Sequence, residues 1–177
     1  MPETTLSALE ARLRMVEDRL EIYNLIAGHP PSADTGADYY TRAIYMEDGA
    51  VDFGGGKAAS GNEAVAAIGR TAEHQAAIAG GLAHFAGLPH INIDGDRAVV
   101  VSYLQILTPH PTAEPVAVPG HGTSRGYRAH RVGANRWELE RTAHGWKIRR
   151  RTVRSLDGSE PARELLRTAL KAYEPAH

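Results

Sequence analysis

Cysteine is absent from the 177-residue chain. Its absence excludes disulfide bonds, thiolate catalysis and cysteine-ligated zinc. Long apolar runs are missing too, since none approaches the roughly 20 residues of a membrane-spanning helix, and the N-terminal segment MPETTLSALEARLRMVEDRLE carries too many charges for a secretory signal. Neither sign of charge dominates, because 20 basic and 21 acidic residues leave a formal net charge of −1. We therefore expect a cytoplasmic protein with no nucleic-acid partner and no membrane partner.

Motifs for common cofactors are also missing. The triplet Gly54–Gly56 lacks the spacing of a phosphate-binding loop, and the chain has no dinucleotide-binding fingerprint. The nine histidines are scattered at single positions. His84 and His90 lack the spacing of a metal-binding pair on a helix, and Pro89 interrupts the strand between them. The sequence therefore predicts neither a cofactor nor a metal centre.

What the chain does contain is enough apolar material, 42% of its residues, for a sizeable core. Residues 1–156 are predicted to form a single domain and residues 157–177 a C-terminal helical extension. Apolar residues recur at steps of three and four from Leu6 to Tyr23, which predicts a long amphipathic helix ending near Gly28. Packing of this stripe on a sheet is favoured over a coiled-coil seam, because only about two and a half heptads are present.

Two shorter elements are predicted after the first helix. The segment His29–Gly36, HPPSADTG, reads as a loop in which Asp34 or Thr35 caps the next helix by accepting hydrogen bonds from its free N–H groups. That helix is predicted to continue through Tyr45, and Ala50–Phe53 is predicted to be a short strand.

A third helix and a hairpin follow. Ser60 and Glu63 have the spacing of a capping box, which predicts a helix over Ala64–Ala79. The turn dipeptide Asp94-Gly95 lies between two apolar runs within residues 91–107 and predicts a β-hairpin.

The last part of the domain predicts a flap and a second hairpin. Residues 108–122 carry four prolines and are expected to form a long loop. The hairpin spans Thr123–Arg154. Its residues Arg149, Arg150, Arg151 and Arg154 are interpreted as facing solvent or an interface on alternating strand faces. Alternatively, Arg150 points inward and binds an anionic group, because it shares strand parity with Trp146 and Ile148. Helices followed by strands predict an α+β fold, with helices on one face of a curved antiparallel sheet and a ligand-sized mouth.

Five stretches carry a family resemblance: RLEIYNLIAG, IYMEDGAVDFGG, SGNEAVAAIG, HINIDGDRAVVVSYLQIL and LERTAHGWKIRRRTVR. From about Val16 to Arg154 the chain resembles the SnoaL-like branch of the nuclear transport factor 2-like superfamily. The resemblance implies a cone-shaped α+β barrel, with N-terminal helices packed on a strongly curved mixed or antiparallel sheet. It also implies a homodimer or homotrimer.

The scytalone dehydratase and γ-hexachlorocyclohexane dehydrochlorinase branch of that superfamily uses a His–Asp pair inside the cone. The resemblance places its aspartate on Asp34 and its histidine on His84, and the arginine of the dehydrochlorinase type on Arg141. The chain departs from the branch at Ala27–Pro31, where an aromatic residue is usual, and in its longer proline-rich loop. Both departures alter the pocket, so the identity of the substrate does not carry over.

A His–Asp pair in an apolar pocket can take a proton from carbon, because the carboxylate fixes the histidine tautomer and stabilises the imidazolium. Structural alternatives are that Asp34 caps a helix and that His84 is a hydrogen-bonded core histidine. Substrate contacts are expected from aromatic residues near the pair, including tyrosines that could donate a hydrogen bond to a leaving group or oxyanion. These candidates are Tyr23, Tyr45, Phe85, Tyr103 and Trp137.

Three functions stay open at this stage. The first is a cofactor-independent lyase or isomerase that acts on a small hydrophobic molecule, with His84 as base and Asp34 as its orienting partner. The second resembles ketosteroid isomerase or polyketide cyclases, in which a lone carboxylate, here Asp38, moves the proton. The third is a non-catalytic module for ligand binding or assembly, since a fold does not fix a function.

Overall fold

A computed structural model gives the structure of residues 5–173. Six α-helices and two short 3₁₀ segments, Ile68–Arg70 and Thr168–Tyr173, lie in this part of the chain. The helices are α1 (Leu6–Ala27), α2 (His29–Thr35), α3 (Asp38–Ile44), α4 (Asn62–Ala67), α5 (Ala72–Ala79) and α6 (Glu160–Arg167). The strands are β1 (Tyr45–Gly54), β2 (Lys57–Ser60), β3 (Ala83–Ala86), β4 (His90–Asp94), β5 (Arg97–Pro109), β6 (Val116–Val118), β7 (Gly122–Ser124), β8 (Tyr127–Thr142) and β9 (Gly145–Ser155).

Seven strands form one mixed sheet in the order β2-β1-β9-β8-β5-β3, and β4 pairs with the other end of β5. The β1–β9 pair is parallel and the other pairs are antiparallel. The predicted α+β fold with N-terminal helices on a curved mixed sheet is confirmed. The small β6–β7 hairpin forms a separate two-stranded sheet.

Both predicted hairpins are present. β4 and β5 pair on either side of the Asp94-Gly95 turn, as predicted. β8 and β9 form the second hairpin, but β8 begins at Tyr127 because residues 122–124 pair with β6. The proline-rich segment is therefore not a plain loop: β5 extends to Pro109, and a short hairpin follows.

The helical predictions need two corrections between residues 29 and 45. The predicted loop His29–Gly36 is helix α2, with proline in its first turn. Proline is tolerated there because the N–H groups of a helix start have no partner within the helix. The helix predicted through Tyr45 ends at Ile44, and Tyr45 starts β1, where it pairs opposite Ile148 of β9.

The predicted capping box is also wrong. Gly61, at φ 89°, precedes α4 and no side chain caps that helix. The predicted helix over Ala64–Ala79 is interrupted at Thr71, which is extended and caps α5 by accepting a hydrogen bond from the His74 N–H at 3.3 Å.

Helix α1 packs on the sheet only through its C-terminal half. Ile22, Leu25 and Ile26 are buried, and Ile22 has no exposed surface. The predicted apolar stripe is largely solvent-exposed, since its members from Leu6 to Leu20 are between 48% and 73% exposed. These residues are Leu6, Leu9, Leu13, Val16 and Leu20. The expectation that the whole stripe packs on the sheet is therefore wrong.

The core lies between the end of α1 and the sheet, and its largest member is Trp137, which is fully buried. At the C-terminus, α6 packs on β8 and β9 and buries Ala162. Residues 174–177 of the predicted extension lie outside the described residues. Of the helices in the described part of the chain, none combines the length and apolarity needed to cross a bilayer.

Candidate active site

A cavity of about 180 Å³ opens between helices α2–α4 and the concave face of the sheet. Its apolar wall comes from strands β1, β5 and β9 and includes Val51, Leu104, Ile106 and Val153. Its polar groups come from both layers: three histidines and Asp38 from the helical side and β3, and Tyr45, Arg131 and Arg151 from the sheet. The cavity is therefore apolar, with a few ionisable groups directed into it.

Asp34 lies behind the cavity wall and contacts His84, which lines the cavity, from the end of α2. It lies in the last turn of the helix, which Gly36 terminates in the left-handed conformation at φ 67°. Glycine has no Cβ and adopts this conformation without strain. Ala37, not Asp34, precedes α3, and no side chain caps that helix. The capping role considered for Asp34 therefore does not apply.

His84 lies on β3, opposite Asp34 of α2. Its ring Nδ1 is 2.6 Å from Asp34 Oδ1. The backbone N–H of His84 also donates to both carboxylate oxygens, at 3.1 and 2.9 Å. Because an ionised carboxylate only accepts, Nδ1 carries the proton and Nε2 is the unprotonated nitrogen. The structure thus brings together the two residues that the family resemblance pairs.

The surroundings of His84 keep its ring neutral near pH 7. Burial lowers the pKa of His84 below its ordinary value of 6.5, and this effect exceeds the opposing effect of the hydrogen bond that His84 donates to Asp34. The nearby Arg151 guanidinium lowers the pKa further. A neutral imidazole with a free Nε2 is the form that a general base requires.

Two further histidines flank His84, and the sequence analysis had assigned neither of them to the site. The His29 ring lies 6.2 Å from the His84 ring and 5.3 Å from the Trp137 ring, and burial holds its pKa well below the ordinary value. His74 lies 6.4 Å from His84, and its Nε2 hydrogen-bonds the Ala33 carbonyl of α2 at 2.8 Å. His29 lies within Ala27–Pro31, where the related proteins usually have an aromatic residue. This difference was the sequence feature that could have indicated a role for His29 in the site.

Arg151 also lines the cavity, whereas strand parity predicts that the inward arginine is Arg150. A register shift between Glu138 and Leu139 leaves Arg149 of β9 without a partner on β8. Such a bulge inverts the alternation of side chains beyond it. Arg151 is therefore the inward residue, 4% exposed, whereas the Arg150 side chain is 53% exposed. The interpretation of the arginines as outward-facing fits Arg150 and is wrong for Arg151.

Tyr45 and Asp38 line the cavity as well. Burial raises the pKa of Tyr45, so its hydroxyl stays protonated and can donate a hydrogen bond. Asp38 is paired with Arg42 at 2.9 Å and also with Arg70. The hydrogen bond from Arg42 is the largest cause that lowers the pKa of Asp38, which makes this carboxylate a weak base.

The other expected substrate contacts do not line the cavity. Phe85 follows His84 on β3, and Tyr103 precedes the cavity residue Leu104 on β5. Neighbours on a strand point to opposite faces, so both aromatic rings lie on the outer face, 58% and 53% exposed. Tyr23 of α1 is 41% exposed.

Trp137 does not line the cavity either, but it supports the residues that do. It is fully buried, its ring contacts His29, and the Arg151 guanidinium stacks on it at 4.4 Å.

Arg141, expected to be catalytic, is engaged elsewhere. Two of its guanidinium nitrogens donate to the two oxygens of Asp18 at 2.5 and 2.6 Å, and its Nε donates to Asp96 at 2.9 Å. It also stacks on Trp146 at 4.5 Å. These bonds tie α1 to the β8–β9 turn region, so Arg141 fastens the first helix to the sheet and does not reach the cavity. Within the described part of the chain, no three side chains of metal-binding type are grouped to hold an ion.

Comparison with known proteins agrees with this architecture. A family model described as a SnoaL-like domain matches residues 14–152. The crystal structure of an NTF2-like protein with a cystatin-like fold from Novosphingobium aromaticivorans is similar, with 36% identity and a TM-score of 0.82 over 92% of this chain and 97% of that one. A search of curated proteins finds no match.

More distant structures share the fold. A candidate scytalone dehydratase from Novosphingobium aromaticivorans is 18% identical, with a TM-score of 0.59 over 82% of this chain and 87% of that one. LinA is 14% identical, with a TM-score of 0.62 over 81% of this chain and 89% of that one. At these identities the likeness concerns the fold alone.

Proposed function

The chain belongs to the SnoaL-like domain family, and from that membership and the geometry of its cavity we propose that it is a cofactor-independent lyase or isomerase. Its substrate is a small, largely apolar molecule that loses a proton from carbon to His84. The observation that carries the proposal is the 2.6 Å bond between His84 Nδ1 and Asp34, which leaves Nε2 as the unprotonated nitrogen of a ring that lines an apolar cavity.

In the proposed reaction, Nε2 of His84 takes the proton and the C–H electron pair forms a carbon–carbon double bond. A hydroxide or halide leaves from the adjacent carbon, or the proton returns to a different carbon in an isomerisation. Asp34 stabilises the imidazolium that forms, and the Tyr45 hydroxyl donates a hydrogen bond to the leaving group or to a developing oxyanion. General base catalysis of this kind contributes about 10²- to 10⁴-fold to the rate.

A lone carboxylate base is less well supported. Asp38 is the acid that this mechanism would use, but Arg42 and Arg70 both hold it and its pKa is lowered. The distant structural relatives include proteins described as dehydratases, which accords with elimination chemistry.

The test uses two small ketones that yield the same conjugated product. 3-Cyclohexen-1-one isomerises, and 3-hydroxycyclohexanone loses water, to 2-cyclohexen-1-one, which is followed by its ultraviolet absorbance. His84→Gln is expected to abolish turnover of the accepted substrate while the folded protein is retained by circular dichroism. His144→Gln, in the exposed β8–β9 turn, is the matched control and is expected to keep full activity.

Full turnover by His84→Gln would contradict the assignment of the base. Failure of the wild type to convert either ketone or a panel of ring-sized alcohols and halides, with and without a carboxylate, would favour the non-catalytic binding module.

A further inference from the structure

The buried guanidinium of Arg151 has only neutral partners. Its Nε and one Nη donate to Asn135 Oδ1 at 3.1 and 3.0 Å, and the Tyr45 hydroxyl lies beside it. Its other close neighbour is the Trp137 ring. Among the described residues, no carboxylate pairs with it. A charged group removed from water in this way is unfavourable unless an opposite charge or sufficient hydrogen bonds compensate it.

A second arginine adds to the same excess of positive charge. Arg131 lines the cavity from β8, opposite Ile106 of β5, and its Nε is buried without a hydrogen-bond partner in the described structure. The positive charge of Arg131 lowers the pKa of Arg151, as expected for two nearby cations. Repulsion between like charges makes this arrangement costly unless an anion compensates it.

Among the described residues, no acid of the region forms an ion pair with either arginine. Asp34 is bonded to His84, and Asp38 is bonded to Arg42 and Arg70. The two arginines are thus the groups of the cavity that lack an anionic partner within the described chain, and an anion of the ligand would supply it. Arginine suits this role because its planar set of donors matches a carboxylate.

We infer that Arg151 and Arg131 form an anion subsite, and that the ligand of this cavity is a small ring-sized molecule bearing a carboxylate. A cavity of about 150 Å³ holds benzene, so the 180 Å³ here accommodates one ring and a small polar substituent. The identification of this ligand as the substrate rests on the proposed function, but its binding does not.

The subsite also bears on the chemistry. Removing a proton from carbon near a carboxylate places new negative charge on a molecule that is already an anion. Arg151 would lower this barrier by stabilising that charge, since preorganised donors act most strongly where water is excluded. The acid group would then serve both as a handle for binding and as part of the activated system.

The experiment compares benzoate with benzamide, which has the same ring and nearly the same shape but no charge. Titration calorimetry with the full chain at pH 7 is expected to give benzoate binding about 10- to 100-fold tighter than benzamide, as a charge-assisted pair provides. Arg151→Gln is expected to remove that preference, and Arg131→Gln to reduce it. Arg150→Gln changes the neighbouring exposed arginine by the same chemistry and is expected to keep the preference.

Equal affinities of the wild type for the two probes would overturn the inference without any variant. Loss of the preference in Arg150→Gln to the same extent as in Arg151→Gln would also overturn it, because general surface charge would then explain the result. His84→Gln separates the two proposals: it is expected to keep the benzoate preference, whether or not His84 is the catalytic base.

Discussion

Two aspartates of the N-terminal helices reach across to the sheet, and they meet very different partners. Asp18 of α1 accepts bonds from two nitrogens of Arg141 and, at 3.1 Å, from Trp146 Nε1. Asp34 of α2 meets His84, whose second ring nitrogen remains available. The first pair uses its hydrogen-bonding capacity internally, and the second leaves part of it directed into a cavity. A reactive site is distinguished from a purely structural ion pair by a hydrogen-bonding group that has no internal partner, and not by the presence of a charged pair.

Of the two aspartates, Asp34 should have the larger effect on turnover when it is replaced. Asp34→Asn keeps the shape but removes the charge that orients His84 and stabilises its imidazolium, so turnover is expected to fall by about 10²- to 10⁴-fold. Kinetic assays with the accepted substrate measure this change, and thermal unfolding should show only a small shift. Unchanged kcat in a folded Asp34→Asn protein would contradict the proposed role.

The reverse pattern is expected for Asp18→Asn. This change leaves the Arg141 guanidinium with only the exposed Asp96 as a charged partner and weakens the bond to Trp146, so the free energy of unfolding should fall by about 1.5–3 kcal/mol. Turnover should persist, because neither residue lines the cavity. Denaturant unfolding and the same kinetic assay, carried out on both aspartate variants, give the comparison. A loss of turnover without a loss of stability in Asp18→Asn would contradict the division of roles.

The sequence predicted the Asp34–His84 pair but not the Asp18–Arg141 pair. The pairing of Asp34 with His84 came from the family resemblance, in which the aspartate follows the first helix and the histidine begins the strand after the third helix. The choice of Arg141 failed because a basic residue near a hairpin turn gives no indication of whether an acid from a distant helix already holds it. Asp18 is 123 residues away from Arg141, and nothing in either local pattern connects them.

Strand register, and the sheet face to which each side chain points, were also not predicted from the sequence. Strict alternation with Trp146 predicts that Arg150 points inward, and this is wrong because a bulge at Arg149 makes Arg151 the inward residue. Phe85 was proposed together with His84, although neighbours on a strand cannot both face one cavity. Helix α2 escaped prediction because its prolines suggested a loop, whereas they occupy the helix start. The general fold was predictable because it depends on the order of elements, which survives such local shifts.

The two pairs should also respond to different pH ranges. The pKa of His84 is lowered below 6.5 in the folded state, chiefly by burial. Activity is therefore expected to fall on the acid side of pH 6.5, as His84 becomes protonated. Between the folded-state pKa and 6.5 the unfolded chain binds more protons at this site, so His84 also lowers stability as the pH drops through this range.

The Asp18 contribution is lost only in stronger acid. The Arg141 hydrogen bond lowers its pKa below 3.8, so its stabilisation is present above that value and disappears as the pH falls through the folded-state pKa. Rate profiles and acid unfolding curves should thus separate into two ranges, and Asp18→Asn should flatten only the more acidic part of the unfolding curve. A rate profile with its acid limb centred above pH 6.5 would contradict the assignment of His84.

The smallest effect on stability is expected on the outer face of the sheet, opposite the cavity. Tyr103 is 53% exposed and Phe85 of the adjacent strand is 58% exposed, so Tyr103→Arg should change the free energy of unfolding of one chain by no more than about 0.5 kcal/mol. Its neighbour Leu104 is only 4% exposed, and Leu104→Ala should cost about 2–5 kcal/mol of unfolding free energy.

The homodimer or homotrimer expected from the family resemblance would cover the apolar outer face that Phe85 and Tyr103 form. Sedimentation should then show Tyr103→Arg at the monomer mass of 19.1 kDa, whereas a wild type already at that mass would contradict the expected assembly.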